Sequence, residues 1–170
     1  MYGFKVEFKG FEELARKFAT FPTTIWRKRM GAAMEKSVLV VEGAVTPLAP
    51  VGVSGRLRGS IGSEVREMGS EIIGRVGSSL KSEVYPQVME FGRDPGSMPP
   101  PASLERWVHL KLGVPVAEAP GVAYLVARKI ARKGIKGKRF MQKGYEKTQG
   151  RVVGFFKSAL RLMVKDLGDD

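Results

Sequence analysis

Ala49-Pro50-Val51-Gly52-Val53-Ser54-Gly55-Arg56-Leu57-Arg58-Gly59-Ser60-Ile61 divides segments of two different periodicities. Before it, Trp26, Met30, Ala33, Ser37, Val40 and Ala44 follow a four-three spacing, which lines one face of a long helix. Val38-Leu39-Val40-Val41 makes the later turns apolar nearly all round, so that part is expected to be buried, either within the chain or in an oligomer. Pro47 and Pro50 end the helix, because proline lacks the N–H that the next turn needs. After the loop, Ile61 to Met68 and Ile72 to Ser78 read as two strands, with Gly69-Ser70 as their turn. Long helix, loop, then hairpin is the order of an α+β fold. The hairpin is polar and Gly-rich, so its register is weakly specified. An exposed edge there can pair with a neighbouring subunit. The loop itself holds two arginines and no acid, His or Cys. It suits an adaptable contact surface and supplies no acid–base group.

Towards the N-terminus, Phe4, Val6 and Phe8 alternate with Lys5, Glu7 and Lys9, as in a half-buried strand. Gly10 breaks it. Phe11, Leu14, Ala15 and Phe18 then recur at helical spacing up to Pro22, and Thr23 or Thr24 can cap the next helix. Towards the C-terminus, Tyr85 to Gly92 is expected to form a short helix or turn anchored by Val88 and Phe91. Asp94 to Pro101 reads as a stiff linker. A helix beginning near Pro101 has Leu104, Trp107, Val108 and Leu112 as its apolar face and Gly113 as its C-terminal cap. A second runs from about Pro120 to Lys133, ending before Gly134. The last starts near Phe140, with Met141, Tyr145, Thr148, Val152, Phe155 and Ala159 as its stripe. Gly144, Gly150 and Gly154 weaken it by about 1 kcal/mol each where exposed, and close helix packing can compensate. The expected architecture is one α+β domain over residues 1–170: a small, mostly antiparallel sheet packed by long helices. A Pro-rich linker and helical insert occupy about 94–133.

Composition bounds the rest. A chain of 170 residues suits one sizeable core. No run of about 18 apolar residues marks a membrane span. The N-terminal segment lacks the apolar stretch of a signal peptide, and without cysteine there is no disulfide framework. A cytoplasmic origin is expected. Net charge is +12, and the excess crowds the last quarter. Arg128, Arg132, Lys133, Lys136, Lys138 and Arg139 are candidate contacts to phosphates or to an acidic partner. A solvated helix face is the competing reading. No catalytic, cofactor-binding or metal-binding residue is expected. His109 is the only histidine. No acid pair, metal cluster or activated nucleophile appears. Gly52-Val53-Ser54-Gly55 lacks the Lys-Ser/Thr of a phosphate loop.

Several segments also occur in a telling order. Gly10-Phe11-Glu12-Glu13-Leu14 opens a helix. Ala49-Pro50 precedes Ser54-Gly55-Arg56-Leu57-Arg58-Gly59-Ser60-Ile61, Tyr85 precedes Glu90-Phe91-Gly92, and Gly134-Ile135-Lys136-Gly137-Lys138-Arg139-Phe140 leads into the last helix. This set resembles the tail-component or neck proteins of long-tailed phages, the family named for gene product ten of the HK-97-type phages. The matching signatures there are "AP…(T/S)G-x-L-R-x-S-I", "YA…vEfG" and "GIKG-(R/K)-P-F". Arg139 stands where that pattern has Pro, and Pro86 where it has Ala. Met98 through Lys133 is similar to a Pro-rich, Trp-containing insert of some members.

The resemblance implies a non-catalytic virion structural protein at the head–tail junction, a neck or tail-completion subunit. It would be made in the host cytoplasm and carried in the virion. Its partners would be copies of itself in a ring, the neighbouring head-completion and tail proteins, and, as an open alternative, packaged DNA. The interface residues expected are Ser54, Gly55, Arg56, Leu57, Arg58, Ser60, Ile61, Tyr85, Glu90, Phe91 and Gly92. Arg56 and Arg58 would pair with carboxylates while Leu57 fills a pocket. The alternative function is a basic nucleic-acid-binding protein using its C-terminal helices, where Phe140, Tyr145, Phe155 and Phe156 are interleaved with the cations.

Overall fold

The computed structural model describes residues 2–5, 23–69, 71–80 and 84–168. The expected continuation of the first strand through Val6 and Phe8, and the helix carrying Phe11 to Phe18, lie outside the described residues. In chain order the elements are β1 (Tyr2–Lys5), α1 (Thr23–Val45), a 3₁₀ turn (Thr46–Leu48), α2 (Arg56–Gly59), β2 (Ile61–Met68), β3 (Glu71–Ser78), α3 (Tyr85–Phe91), β4 (Gly92–Arg93), α4 (Ala102–Leu112), α5 (Ala119–Lys133), β5 (Ile135–Lys136) and α6 (Phe140–Gly168). The fold is α+β: long helices with a small antiparallel sheet. Two compact units form. One gathers the described parts of Met1–Leu48, Ile61–Ser79 and Met141–Asp170; the other gathers Ala49–Ser60 and Leu80–Phe140.

In the first unit the sheet order is β1-β3-β2, all antiparallel. Met68 pairs with Glu71, and Gly69, where the turn between the strands was expected, has φ +62°. Such a positive φ is easy for glycine and strained for other residues. Because side chains alternate along a strand, Ser63, Val65, Gly74 and Val76 share one face. That face meets α1. A methyl group on Gly74 would lie 2.5 Å from Met34 Sδ and 2.6 Å from Val38 Cγ1. Ser63 Oγ donates to Glu42 Oε2 from the same face. The opposite face carries Glu64, which accepts from Arg66 at 2.9 Å and from Arg75 at 3.5 Å.

Helix α6 runs antiparallel to α1. Gly144 sits against Val45 near one end of the pair, and Arg29 grips Asp166 through two 2.8 Å bonds near the other. A 30 Å³ cavity remains between α1, β3 and α6, lined by Met34, Val38, Val41, Gly74, Met141 and Val152 among others. Ser37, also at its wall, spends its hydroxyl on Ala33 O at 2.7 Å. The space therefore offers a water almost no partner.

Both helical stripes differ in detail from the expected ones. On α1 the buried row is Met30, Ala33, Met34, Ser37, Val38, Val41 and Val45, with Val40 and Ala44 only half-buried. Leu39 is 62 % exposed, so it is not buried within the chain, and burial in an oligomer is the expectation left for it. On α6 Phe156 is buried where Phe155 was expected. A four-three spacing has 3.5 residues per turn and a straight helix 3.6, so a strict heptad row drifts by about 20° per heptad. The true row therefore advances one position over a few turns. The glycines expected to weaken α6 also differ. Gly144 is closely packed, whereas a methyl group at Gly150 or Gly154 would meet nothing within 4 Å.

In the second unit α4 and α5 form a helical hairpin. Val108, Ala119 and Ala123 are its core, with Leu104, Val114, Val122 and Val126 packed against them. Gly113 ends α4 in the left-handed region at φ +70°, and its N–H donates to His109 O. The expected α4 face holds for Val108 and Leu104. Trp107 and Leu112 are exposed instead. Trp107 stands one residue, about 100° of helix rotation, from Val108. The linker is bent back and tied: Gly96 N–H donates to Ala131 O at 2.8 Å.

Candidate partner-binding surface

The loop of residues 49–60 is built on itself. Arg58 donates from Nη2 at 2.9 Å and Nε at 3.3 Å to Ala49 O. Gly55, at φ +66°, turns the chain into α2, and Ser60 Oγ donates to Leu57 O at 2.7 Å. Leu57 is 1 % exposed, so it is a core residue of this chain with no surface left to fill a partner's pocket. Ser54 and Arg56 are exposed; Gly55, Arg58 and Ser60 are half-buried. Ile61 is buried at the start of β2.

The loop meets α3. A methyl group on Gly52 would lie 3.2 Å from the Tyr85 hydroxyl. Partial burial pushes the Tyr85 phenol above its ordinary pKa, so it stays a neutral O–H donor. Pro86 fits the first turn of α3 and is buried with Glu90. These two are four residues apart and define the inward face. Phe91, expected as an anchor, falls outside that face and is 74 % exposed. Val88 is half-buried.

The end of α3 interlocks with Gly134–Arg139. Strands β4 and β5 pair with Gly92 opposite Lys136 and Arg93 opposite Ile135. Lys138 N–H donates to Met89 O at 2.8 Å, and Arg139 N–H to Glu90 O at 3.0 Å. A methyl group on Gly137 would lie 2.5 Å from Glu90 O and from Phe91 C, and one on Gly92 would strike Ile135 O. Only glycine permits this backbone approach. Arg139 has φ +50°. Proline, whose ring holds φ near −65°, could neither take that angle nor donate to Glu90. Three of the segments carrying the resemblance, 49–60, 85–92 and 134–139, lie together in one unit.

The cations expected to meet phosphates are all exposed: Arg128, Arg132 and Lys133 on α5, Lys136 on β5, and Lys138 and Arg139 after it. The aromatic residues thought to accompany them are core or half-buried. Phe140 and Phe156 are buried, and Tyr145 and Phe155 are half-buried. The sequence reading missed Tyr124 and Leu125, which are 49 % and 59 % exposed on α5 beside the cations. The i, i+4 row Ala119-Ala123-Ala127 marks the buried side of α5 and was the available signal for them. His109 is exposed, and its Nδ1 lies 2.8 Å from Val114 O across the Gly113 turn. That contact braces the α4–α5 connection. Among the described residues no group of His, Cys, Asp and Glu could hold a metal ion, and no helix is long and apolar enough to cross a membrane.

Comparison with known proteins finds no matching family model, no matching curated protein and no matching solved structure.

Proposed function

We propose that this chain is a non-catalytic virion structural protein of the head–tail junction, a neck or tail-completion subunit that assembles with copies of itself into a ring and joins head to tail. The observation that carries the proposal is the gathering of the three motif segments. Two of them, 85–92 and 134–139, form a backbone-to-backbone lock whose close approaches exclude any side chain at Gly92 and Gly137, and the third, the 49–60 loop, lies with Gly52 beside the Tyr85 hydroxyl. Exposed apolar side chains in that unit, Phe91 and Tyr85 beside the lock and Trp107, Leu110 and Val116 on the helical hairpin and its turn, offer what a subunit buries on assembly. Strand β2 is an outer strand of its sheet, open to pairing with a neighbour. Neighbouring head-completion and tail proteins are the further partners, and the protein is made in the host cytoplasm and retained in the virion.

Quantitative mass spectrometry of purified particles, with the portal as internal standard, tests this. A low, ring-like copy number is the expected result. Absence of the chain from particles overturns the proposal.

A further inference from the structure

Helix α5 presents an outward face that the function proposed above does not use. At about 100° per residue, Arg128, Arg132, Lys129 and Lys133 fan over an arc of about 140°, with Leu125 inside it and Tyr124 at its edge. Ala119, Ala123 and Ala127 point the opposite way into the unit and are buried. The whole outward row is exposed. Lys136 and Lys138 extend it beyond the helix end. None of Arg128, Lys129, Arg132, Lys133, Lys136 and Lys138 has an ion-pair partner among the described residues. No acid occurs in sequence between Glu118 and Glu146. The platform is braced. Gly96 is bonded to Ala131 O, Gly134 N–H to Ile130 O at 2.8 Å, and β5 is paired to β4.

We propose that this face of α5, with Lys136 and Lys138, binds the phosphate backbone of duplex DNA without reading its sequence. Charge complementarity selects the occupant. Six unpaired cations with no interspersed acid form a field that attracts a continuous polyanion. Their spread over a broad arc suits the wide, regularly charged surface of a duplex better than one edge of an acidic peptide. Arg128 and Arg132 stand one helical step of about 6 Å apart, so each can meet a separate phosphate. Two isolated apolar residues, Tyr124 and Leu125, are too few to seat a helix in a lipid surface. Contacts to phosphate oxygens carry no sequence information, so equal affinity for unrelated duplexes is their signature. This inference does not rest on the junction proposal: a chain absent from particles could still bind DNA, and one present could fail to.

The full chain is titrated against two fluorescent duplexes of unrelated sequence over a salt series, with polyglutamate and mixed phosphatidylserine–phosphatidylcholine vesicles as competitors. Equal affinity for both duplexes is expected. The slope of log K against log salt should be about −5 if six phosphates are engaged, at about 0.9 each. The variant Arg128→Gln/Lys129→Gln/Arg132→Gln should bring that slope to about −3 and weaken binding at least tenfold at low salt. Lys157→Gln/Arg161→Gln/Lys165→Gln, which removes the same charge from exposed positions of α6, should shift affinity less than twofold. Circular dichroism confirms that both variants fold. Equal losses in the two variants, a flat salt response, or stronger capture by polyglutamate or by vesicles than by DNA overturns the proposal.

Discussion

A methyl group at Gly137 has nowhere to go, while one at Gly150 or Gly154 meets open space. Residues of one type in one chain therefore have opposite expected effects. Gly137→Ala should destabilise by about 2 kcal/mol or more, because backbone at Glu90 and Phe91 must move apart. Gly150→Ala and Gly154→Ala should each stabilise by about 0.5–1 kcal/mol through helix propensity. Chemical denaturation of the three single variants checks this, and a stabilised Gly137→Ala would refute the lock. Charge supplies a second residue-scale prediction. The two hydrogen bonds from Arg29 hold the Asp166 carboxyl below its usual range, and the nearby charges of Arg29, Lys28 and Lys165 act in the same direction. A lowered folded-state value means the contact stabilises the protein above the ordinary carboxylate range. That contribution is lost as pH falls through the lowered value. Asp166→Asn should thus lower the unfolding temperature at neutral pH and leave it nearly unchanged at about pH 2. An equal drop at both pH values would show that the substitution acts through something other than charge.

At the level of elements, type and extent were largely readable while facing was not. Helix α5 runs Ala119–Lys133 and α4 runs Ala102–Leu112, within a residue or two of where Pro101, Gly113, Pro120 and Gly134 place them. Proline and glycine act on their own backbone, so their signal is local. The buried stripes of α1 and α6 slipped from heptad positions because a 3.6-residue helix does not hold a 3.5-residue row. Gly144 is where the slip has energetic weight. A methyl group there would approach Val45 Cα at 2.9 Å and Val45 N at 3.0 Å. Gly144→Ala should therefore destabilise by about 1–3 kcal/mol despite its better helix propensity. Val45→Ala alone should lose about 2 kcal/mol. Because part of the Gly144→Ala clash is with the Val45 side chain, the double variant should be less destabilised than the sum. A double-mutant cycle by denaturant titration reads this directly, and strict additivity would remove the contact as the cause.

For the whole molecule, the loop of residues 49–60 now separates into parts with distinct tasks. Arg58 holds the loop closed on Ala49 O and Leu57 is buried beneath it, while Arg56 is exposed. Arg56→Glu should leave unfolding within about 0.5 kcal/mol of the parent and lower the yield of infectious particles. Adding Arg58→Glu should lower stability by about 1 kcal/mol, the scale of a lost hydrogen bond. Unchanged particle yield with Arg56→Glu would remove this loop from the joining surface. The sequence by itself determined where the long helices and the β2–β3 hairpin lie, and that one loop parts a long helix from that hairpin, while α2 inside the loop and the short β4–β5 pair were not legible in it. Those properties follow from side-chain periodicity and from proline and glycine over a few consecutive residues. Only the tertiary structure decided that Glu90 is inside and Phe91 outside, that the distant segments 85–92 and 134–139 interlock through Gly92 and Gly137, and that α5 turns Arg128, Arg132 and Tyr124 outward. Each depends on contacts between residues far apart in the chain, and local periodicity carries no information about which distant backbone will approach.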